Sequence, residues 1–413
     1  MRASSLLRII LSLQGLFVRG FSFDDLGIVA DVSLRKRVPR CGDCGAKARR
    51  VHDRRTRTWR HLDVAGMQVR LRYAIRRVRC HRCRGVKTES VPWASPGAGF
   101  TTPFEERVAY LAQQCSKTAV SRLMRVAWRT VGEIIRRVVD RHFDEVEDRL
   151  DGLRHIGIDE LSYRRHHEYV TVVVDHVSGR VVWSMPGKNA DTLHRFFDEL
   201  GPERAAAIES VTIDMSQAYI SAVEDRVPKA RLVFDRFHVQ RLIQNALDET
   251  RRDEVRAAKA RDKKALKGTR WALQKNPWNL NDREVQTLDE IERENWQLYR
   301  AYLLKESFAA ILDGRQINVA RRKLEQWIAD AQASDLPHFV RAAGTIARRI
   351  DGILEYVRTR FSNGRTEGLN GKVRTITRRS FGFHSAHALI AMIFLCCGGV
   401  DVTPAFASPG SFH

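Results

Sequence analysis

Three times along this chain a short apolar run ends in an aspartate. Ile156-Gly157-Ile158 precedes Asp159, Val211-Thr212-Ile213 precedes Asp214, and Leu232-Val233-Phe234 precedes Asp235. Runs of this length, rich in β-branched residues and bounded by polar ones, read as strands. Tyr169 to Val174 follows the first run after a polar turn, and Val181 to Met185 follows the turn signal Ser178-Gly179. The first acid therefore opens a three-strand meander. A single acid at a strand end is commonly a cap or a turn residue. Repetition constrains the fold far more, because a sheet that aligns these strands gathers their carboxylates. Glu367 opens a basic helical segment within SNGRTEGLNGKVRTITRRSFGF, residues 362 to 383. Carboxylates on neighbouring strand ends, completed by an acid on a helix, suit hard divalent cations such as Mg²⁺. Two such ions, about 4 Å apart, serve in-line phosphoryl displacement. Glu160 points to the opposite strand face from Asp159 and is a poor ligand. His166 and His167 read as exposed residues of a hairpin loop.

The chain has 413 residues, enough for two or three domains, and carries a formal charge of +22 with 71 basic against 49 acidic residues. A polyanion is the simplest partner for that field, since neutralising phosphates releases counterions. Residues 1 to 21 superficially resemble a signal peptide, but Arg8 and Gln14 interrupt the apolar run and no small-residue cleavage site follows. They read instead as an amphipathic helix leading into a strand, Gly27 to Leu34. The apolar stretch Ala388 to Cys397 is about half the ~20 residues of a membrane span. It reads as a buried helix, and no membrane partner is expected.

Four of the seven cysteines form two CxxC knuckles, Cys41/Cys44 and Cys80/Cys83. Each knuckle offers two thiolates from one tight turn, the arrangement tetrahedral Zn²⁺ requires. Between them, Arg54, Arg55, Arg57, Arg60 and the run LRYAIRRVRC suggest a β-ribbon with arginines on one face. His52, His61 and His81 are weaker ligand candidates. Cys115, Cys396 and Cys397 lack ligand spacing and read as core thiols. This cysteine usage points to the cytoplasm. A Pro/Gly-rich linker at 91–103 follows.

Beyond it the pattern turns helical: Glu105 to Gln114, Lys117 to Met124 and Trp128 to Val139, with only Arg125-Val126-Ala127 between the last two. So tight a break resembles a helix-turn-helix, with Arg129, Thr130, Glu133 and Arg136 on the recognition helix. A plain helical hairpin is the other reading. Between Asp235 and Glu367 lies a long helical block carrying Trp271, Trp278, Trp296 and Trp327. Tryptophans in such a block are more often core anchors than stacking platforms for bases. The tail from Gly398 onward reads as poorly ordered.

Taken together, the knuckles, the helix-turn-helix, GIDE (157–160), TIDMS (212–216), FDRFHV (234–239) and SNGRTEGLN (362–370) resemble the DDE transposases of bacterial insertion sequences. The branch is the one called the ISL-three family. The resemblance implies an α/β ribonuclease-H-like catalytic core, a mixed sheet with flanking helices and an α-helical insertion, preceded by a zinc-binding β-ribbon domain and a helix-turn-helix. The expected segments are a lead-in at 1–36, the zinc domain at 37–90, the linker at 91–103, the helix-turn-helix at 104–150, the catalytic domain at 151–397 with its insertion at about 245–355, and a tail at 398–413. The implied triad is Asp159, Asp214 and Glu367, holding Mg²⁺ or Mn²⁺. On this view, water cleaves a phosphodiester at a transposon end, and the freed 3′-hydroxyl attacks target DNA. Arg365, Lys372, Arg374, Arg378 and Arg379 would hold the backbone near the metals. Asp235 and His238 would be supports or a structural turn pair. The expected partner is double-stranded DNA, bound by a homodimer or higher oligomer and drawing the protein to the nucleoid. A sequence-specific DNA-binding regulator with an inactive core is the rival reading.

Overall fold

The computed structural model describes residues 11, 13–35, 38–145, 149–164, 168–258, 266, 268–361, 364–380 and 382–402. For residues 144, 145, 163, 164, 364–367, 369 and 370 it describes the backbone only. The chain forms two compact units, Met1–Glu145 with Val400–His413, and Val146–Gly399.

The first unit is built on a five-stranded sheet. Its strands are β1 (Leu16–Asp24), β2 (Gly27–Leu34), β3 (Val51–Val64), β4 (Met67–Cys80) and β5 (Gly85–Thr88). The order is β1-β2-β4-β3, with β5 pairing the far end of β4. Leu16 to Phe21 is thus strand, not the helix expected from the sequence. Its partner decides the matter, because β2 supplies an antiparallel ladder along the whole of β1. Gly27, at φ +134°, turns the hairpin back and starts the parallel pairing to β4, so close to the Gln68 backbone that a Cβ would collide with it.

Two further expectations change here. The arginines of β3 divide between the faces: Arg54 and Arg60 lie on one, Arg55 and Arg57 on the other, as the unbroken register from Arg54 to His61 requires. Several ribbon arginines are held by acids, in the pairs Arg60–Asp63, Arg70–Asp24, Arg72–Asp31 and Arg76–Glu89. The stretch expected to be a linker is packed onto the sheet. Trp93 is buried edge-on against Trp59 and Tyr73, each at 5.6 Å between ring centroids. The Arg60 amide donates to the Gly99 carbonyl, and the Thr101 amide to that of Arg60.

His61 lies in this core, away from the cysteines, with Nδ1 2.8 Å from the Thr101 hydroxyl. Burial foremost drives its pKa down to about 4. Between the ordinary value near 6.5 and about 4, the unfolded chain takes up a proton that the folded chain refuses, so stability is lost as pH falls through that window. The expected loss is about 3 kcal/mol, measured as denaturant midpoints across the window, and His61→Asn should flatten that part of the slope.

Among the described residues the unit continues with the helices α1 (Thr102–Gln114), α2 (Lys117–Met124) and α3 (Trp128–Glu145). Ser116 caps α2 by accepting from the Ala119 amide at 3.2 Å, and Arg125, in the left-handed region, ends it. The fully buried Glu105 of α1 accepts from Arg137 (2.8 Å) and Arg141 (3.2 Å) of α3. Glu105→Ala strands two cations at the helix contact. It should destabilise the unit by about 3 kcal/mol, the low end for breaking a buried pair because both guanidiniums reach solvent. Thermal unfolding of the variant checks this.

The second unit opens with the antiparallel meander β6 (His155–Arg164), β7 (Glu168–Asp175) and β8 (Val181–Pro186). After α4 (Ala190–Leu200) and the short α5 (Pro202–Ala205) comes β9 (Ser210–Ile213), then α6 (Gln217–Arg226) and β10 (Arg231–Phe234). The sheet order is β10-β9-β6-β7-β8, with β9 and β10 parallel to β6. A meander extended on its first strand by two parallel strands is the ribonuclease-H-like arrangement.

A helical block follows: α7 (Arg236–Ala257), α8 (Arg270–Gln274), a 3-10 turn at Pro277–Asn279, α9 (Asp282–Glu294), α10 (Trp296–Asp313), α11 (Ile317–Gln332) and α12 (Pro337–Arg348). The chain then returns through α13 (Ile350–Thr359), α14 (Gly364–Arg379) and α15 (Ala386–Cys397). Gly352 lets α13 lie directly on the Phe234 ring of β10. Sheet residues such as Ile158, Val211 and Val233 share one continuous core with Phe308, Leu324 and Phe339 of the inserted helices. Only one of the four tryptophans is the core anchor expected. Trp327 is 3% exposed and donates to the Leu304 carbonyl, whereas Trp271, Trp278 and Trp296 are 61%, 75% and 62% exposed.

Candidate active site and zinc centre

The parallel register puts the strand-end acids level. His155 aligns with Ser210 and Gly157 with Thr212, so two residues further on Asp159 stands opposite Asp214. Phe234 aligns with Ile213, which sets Asp235 opposite Asp214 in turn. β9 ends at Ile213, and its chain turns away into α6. Asp214 and Asp235 therefore sit at the carboxyl ends of β9 and β10, and Asp159 sits midway along β6, just past the point where its parallel ladder to β9 opens, the usual kind of place for a ligand in such sheets.

Local hydrogen bonds orient the first two acids. Asp159 Oδ1 accepts from the Glu160 amide at 2.8 Å, and Asp214 Oδ1 accepts from the Ser216 amide at 2.8 Å, at the start of α6. Both residues are half-buried, while Asp235 is buried with His238 Nε2 4.0 Å away. The donor set is all oxygen and partly solvated, which fits a hard divalent cation.

The segment before Glu367 approaches the sheet by a different route. Phe361 stacks on His176 at 5.3 Å and lies 4.8 Å from His155. His176 in turn reaches the Thr212 hydroxyl at 2.9 Å. His155 and Thr212 lie two residues along their strands from Gly157 and Asp214, on the face that carries Asp159 and Asp214. The helix α14, which carries Glu367, packs on β6. Glu367 and Arg365 lie in the first turn of α14, and their side chains fall outside the described residues. Lys372, Arg374 and Arg378 are exposed further along the helix, while Val373 and Ile376 are buried. His166 and His167 also lie outside the described residues.

On the opposite sheet face, Glu160 is hydrogen-bonded to Tyr219 of α6, whose hydroxyl is 3.0 Å from that of Thr171. Burial foremost raises the Glu160 pKa, and the carboxylates of Asp214 and Asp159 add to the rise. Tyr219, five residues beyond Asp214, carried no signal in the sequence beyond its helical spacing. Its role depends on the alignment of β6 with β7.

In the first unit the four knuckle sulfurs lie within 4.8 Å of one another. Cys41 Sγ and Cys83 Sγ are 3.8 Å apart, Cys44 Sγ and Cys80 Sγ 3.5 Å. Bonds of about 2.3 Å to a tetrahedral Zn²⁺ place sulfurs about 3.8 Å apart, so the donors fit the ion. His52, His61 and His81 are not part of this cluster of described residues.

On the candidate recognition helix α3, Arg129, Glu133 and Arg136 are exposed along one face and Thr130 is half-buried. Trp128 is covered by the Lys117 ammonium at 3.3 Å, a contact that Gly132 makes room for. Burial lowers the Lys117 pKa to about 8. Among the described residues no helix is long and apolar enough to cross a membrane.

A ribonuclease-H-like sheet that follows, along the chain, a four-cysteine knuckle and a helix-turn-helix defines a DNA-cutting and DNA-joining enzyme of the DDE type. A DDE family model described as a transposase matches residues 156–393, the model for the helix-turn-helix domain of transposase family ISL3 matches 89–139, and that for the zinc-finger of transposase IS204/IS1001/IS1096/IS1165 matches 37–83. The chain belongs to the ISL3 family of transposases. It is 41% identical over 415 residues to the transposase for insertion sequence element IS1557 of Mycobacterium tuberculosis, covering 92% of this chain and 91% of that protein. It is 28% identical over 370 residues to the transposase for insertion sequence element IS1001 of Bordetella parapertussis, covering 87% and 89%.

Proposed function

We propose that this transposase binds the terminal inverted repeats of its own insertion sequence, cleaves a strand at the repeat boundary and joins the freed 3′-hydroxyl to target DNA. The observation that carries the reading is the level placement of Asp159 and Asp214, with α14 lying against the strand of the first. Asp159, Asp214 and Glu367 are the residues that hold Mg²⁺ or Mn²⁺. The bound ions supply charge stabilisation at the phosphodiester being displaced. The chain's own part is to fix the carboxylates through the Glu160 and Ser216 amides and to hold the DNA. Arg129, Thr130 and Arg136 face the terminal repeat, and Arg365, Lys372 and Arg378 grip the backbone near the metals. Cys41, Cys44, Cys80 and Cys83 hold the Zn²⁺ that braces the sheet beside the recognition helix. Two ends must be brought together, so the working form is a homodimer or larger on DNA. It acts in the cytoplasm, on the nucleoid.

The test is strand cleavage of a labelled duplex carrying the element's terminal repeat, supplied as paired ends. Nicking at the repeat boundary with Mg²⁺ or Mn²⁺, and none with EDTA, is the expected result. Tight repeat binding without cleavage in either metal is the result a DNA-binding regulator would give.

A further inference from the structure

A cavity of about 270 Å³ opens beside the first two turns of α7, and nothing in the strand-end chemistry uses it. Its walls include Gln240 and Gln244 of α7, Asn276 and Trp278 of the 3-10 turn, and Phe308 of α10. It is smaller than the roughly 300 Å³ at which pockets for drug-sized ligands begin. Trp278 is 75% exposed and flanked by Pro277, which fixes the turn; the fold gains little from burying this indole. Of the other two exposed tryptophans of the helical block, Trp271 lies under the Arg270 guanidinium and Trp296 against the Tyr299 ring.

The charges around the cavity are already engaged inside the protein. Arg236 pairs with Asp313 at 2.5 Å. Lys305, itself buried, donates to the carbonyls of Leu273 (3.0 Å) and Lys275 (3.1 Å) and pairs with Glu306. What faces a ligand is therefore aromatic surface and three side-chain amides, each with both donors and acceptors. That combination suits a flat, neutral group with hydrogen-bonding edges, and it suits a phosphate poorly. Arg236, on the cavity wall, directly follows Asp235 at the end of the parallel strands.

We infer that this cavity receives a single unpaired nucleobase of the bound DNA, stacked on Trp278 and read by Gln240, Gln244 and Asn276. The inference rests on the proposed DNA chemistry at the neighbouring strand ends and adds a second point of grip on the same substrate. A base that leaves the duplex there exchanges its stacking neighbours for the indole.

The test uses the full chain and two probes, a short duplex with one bulged 2-aminopurine and the same duplex fully paired. Stacking on an aromatic side chain predicts roughly five- to hundredfold tighter binding of the bulged probe, with quenching of its fluorescence. Trp278→Ala should lose both the preference and the quenching, Gln240→Ala should weaken the preference, and both should bind the paired duplex as wild type does. Trp278→Phe should restore most of the effect. Equal affinity of wild type for the two probes, or an undiminished preference in Trp278→Ala, would overturn the assignment. Loss of repeat cleavage with the preference intact counts against the proposed function alone, and cleavage without the preference counts against the cavity alone.

Discussion

Asp159→Asn and Asp214→Asn are each expected to reduce strand cleavage on a terminal-repeat duplex by about 10³-fold or more, the equivalent of several kcal/mol of charge stabilisation in the transition state. Both substitutions keep the shape of the side chain and an oxygen for the amide contacts at Glu160 and Ser216, so the sheet ends should stay as they are. What disappears is the charge that holds a divalent ion. Affinity for the duplex should remain within about twofold, because the arginines and lysines that meet phosphates are left unchanged. Gel-shift titration and single-turnover cleavage, run on the same preparations, separate the two effects. Wild-type cleavage by either variant would remove that residue from the metal-holding set.

Removing zinc should have a comparably large effect in a different place. Metal binding by a four-thiolate knuckle contributes on the order of 10 kcal/mol of folding free energy, as much as the whole net stability of about 5–15 kcal/mol that a unit of this size holds. The knuckles join the loop before β3 to the end of β4, and β4 pairs with β2, β3 and β5. Cys80→Ser, or exposure to a strong chelator, should therefore open the sheet as a whole. The expected outcome is loss of protease resistance in residues 16–88 and loss of repeat binding, while the second unit, with its own core, stays folded. Limited proteolysis with mass analysis of the fragments reads both. An intact, DNA-binding first unit in zinc-free protein would refute the prediction.

Much of this architecture was legible in the sequence because its signals are local. The apolar runs ending in Asp159, Asp214 and Asp235 announce strands, and their acids announce a shared edge. The CxxC spacing announces a metal site whose geometry two tight turns decide. What escaped was set by partners far away in sequence. Leu16 to Phe21 looks helical until β2 is beside it, and Trp93 looks like part of a linker until Trp59 and Tyr73 close around it. The exposure of Trp271, Trp278 and Trp296 is likewise a property of helix packing, because the spacing of a tryptophan does not say which side of a helix bundle it will face. Strand alternation alone sets Glu160 on the face opposite Asp159, but its link to Tyr219 requires the register of β6 and β7.

The inserted helices share a core with the sheet and fall between the second and third acids of the proposed triad. That order has a consequence for the timing of activity. During synthesis Asp159 and Asp214 leave the ribosome early, while Glu367 follows only after the whole helical block. A chain interrupted anywhere within that block carries the zinc knuckles, the helix-turn-helix and two of the three proposed acids. On the proposed function such a chain would occupy a repeat without cutting it, so a product truncated within the block would compete with the finished enzyme.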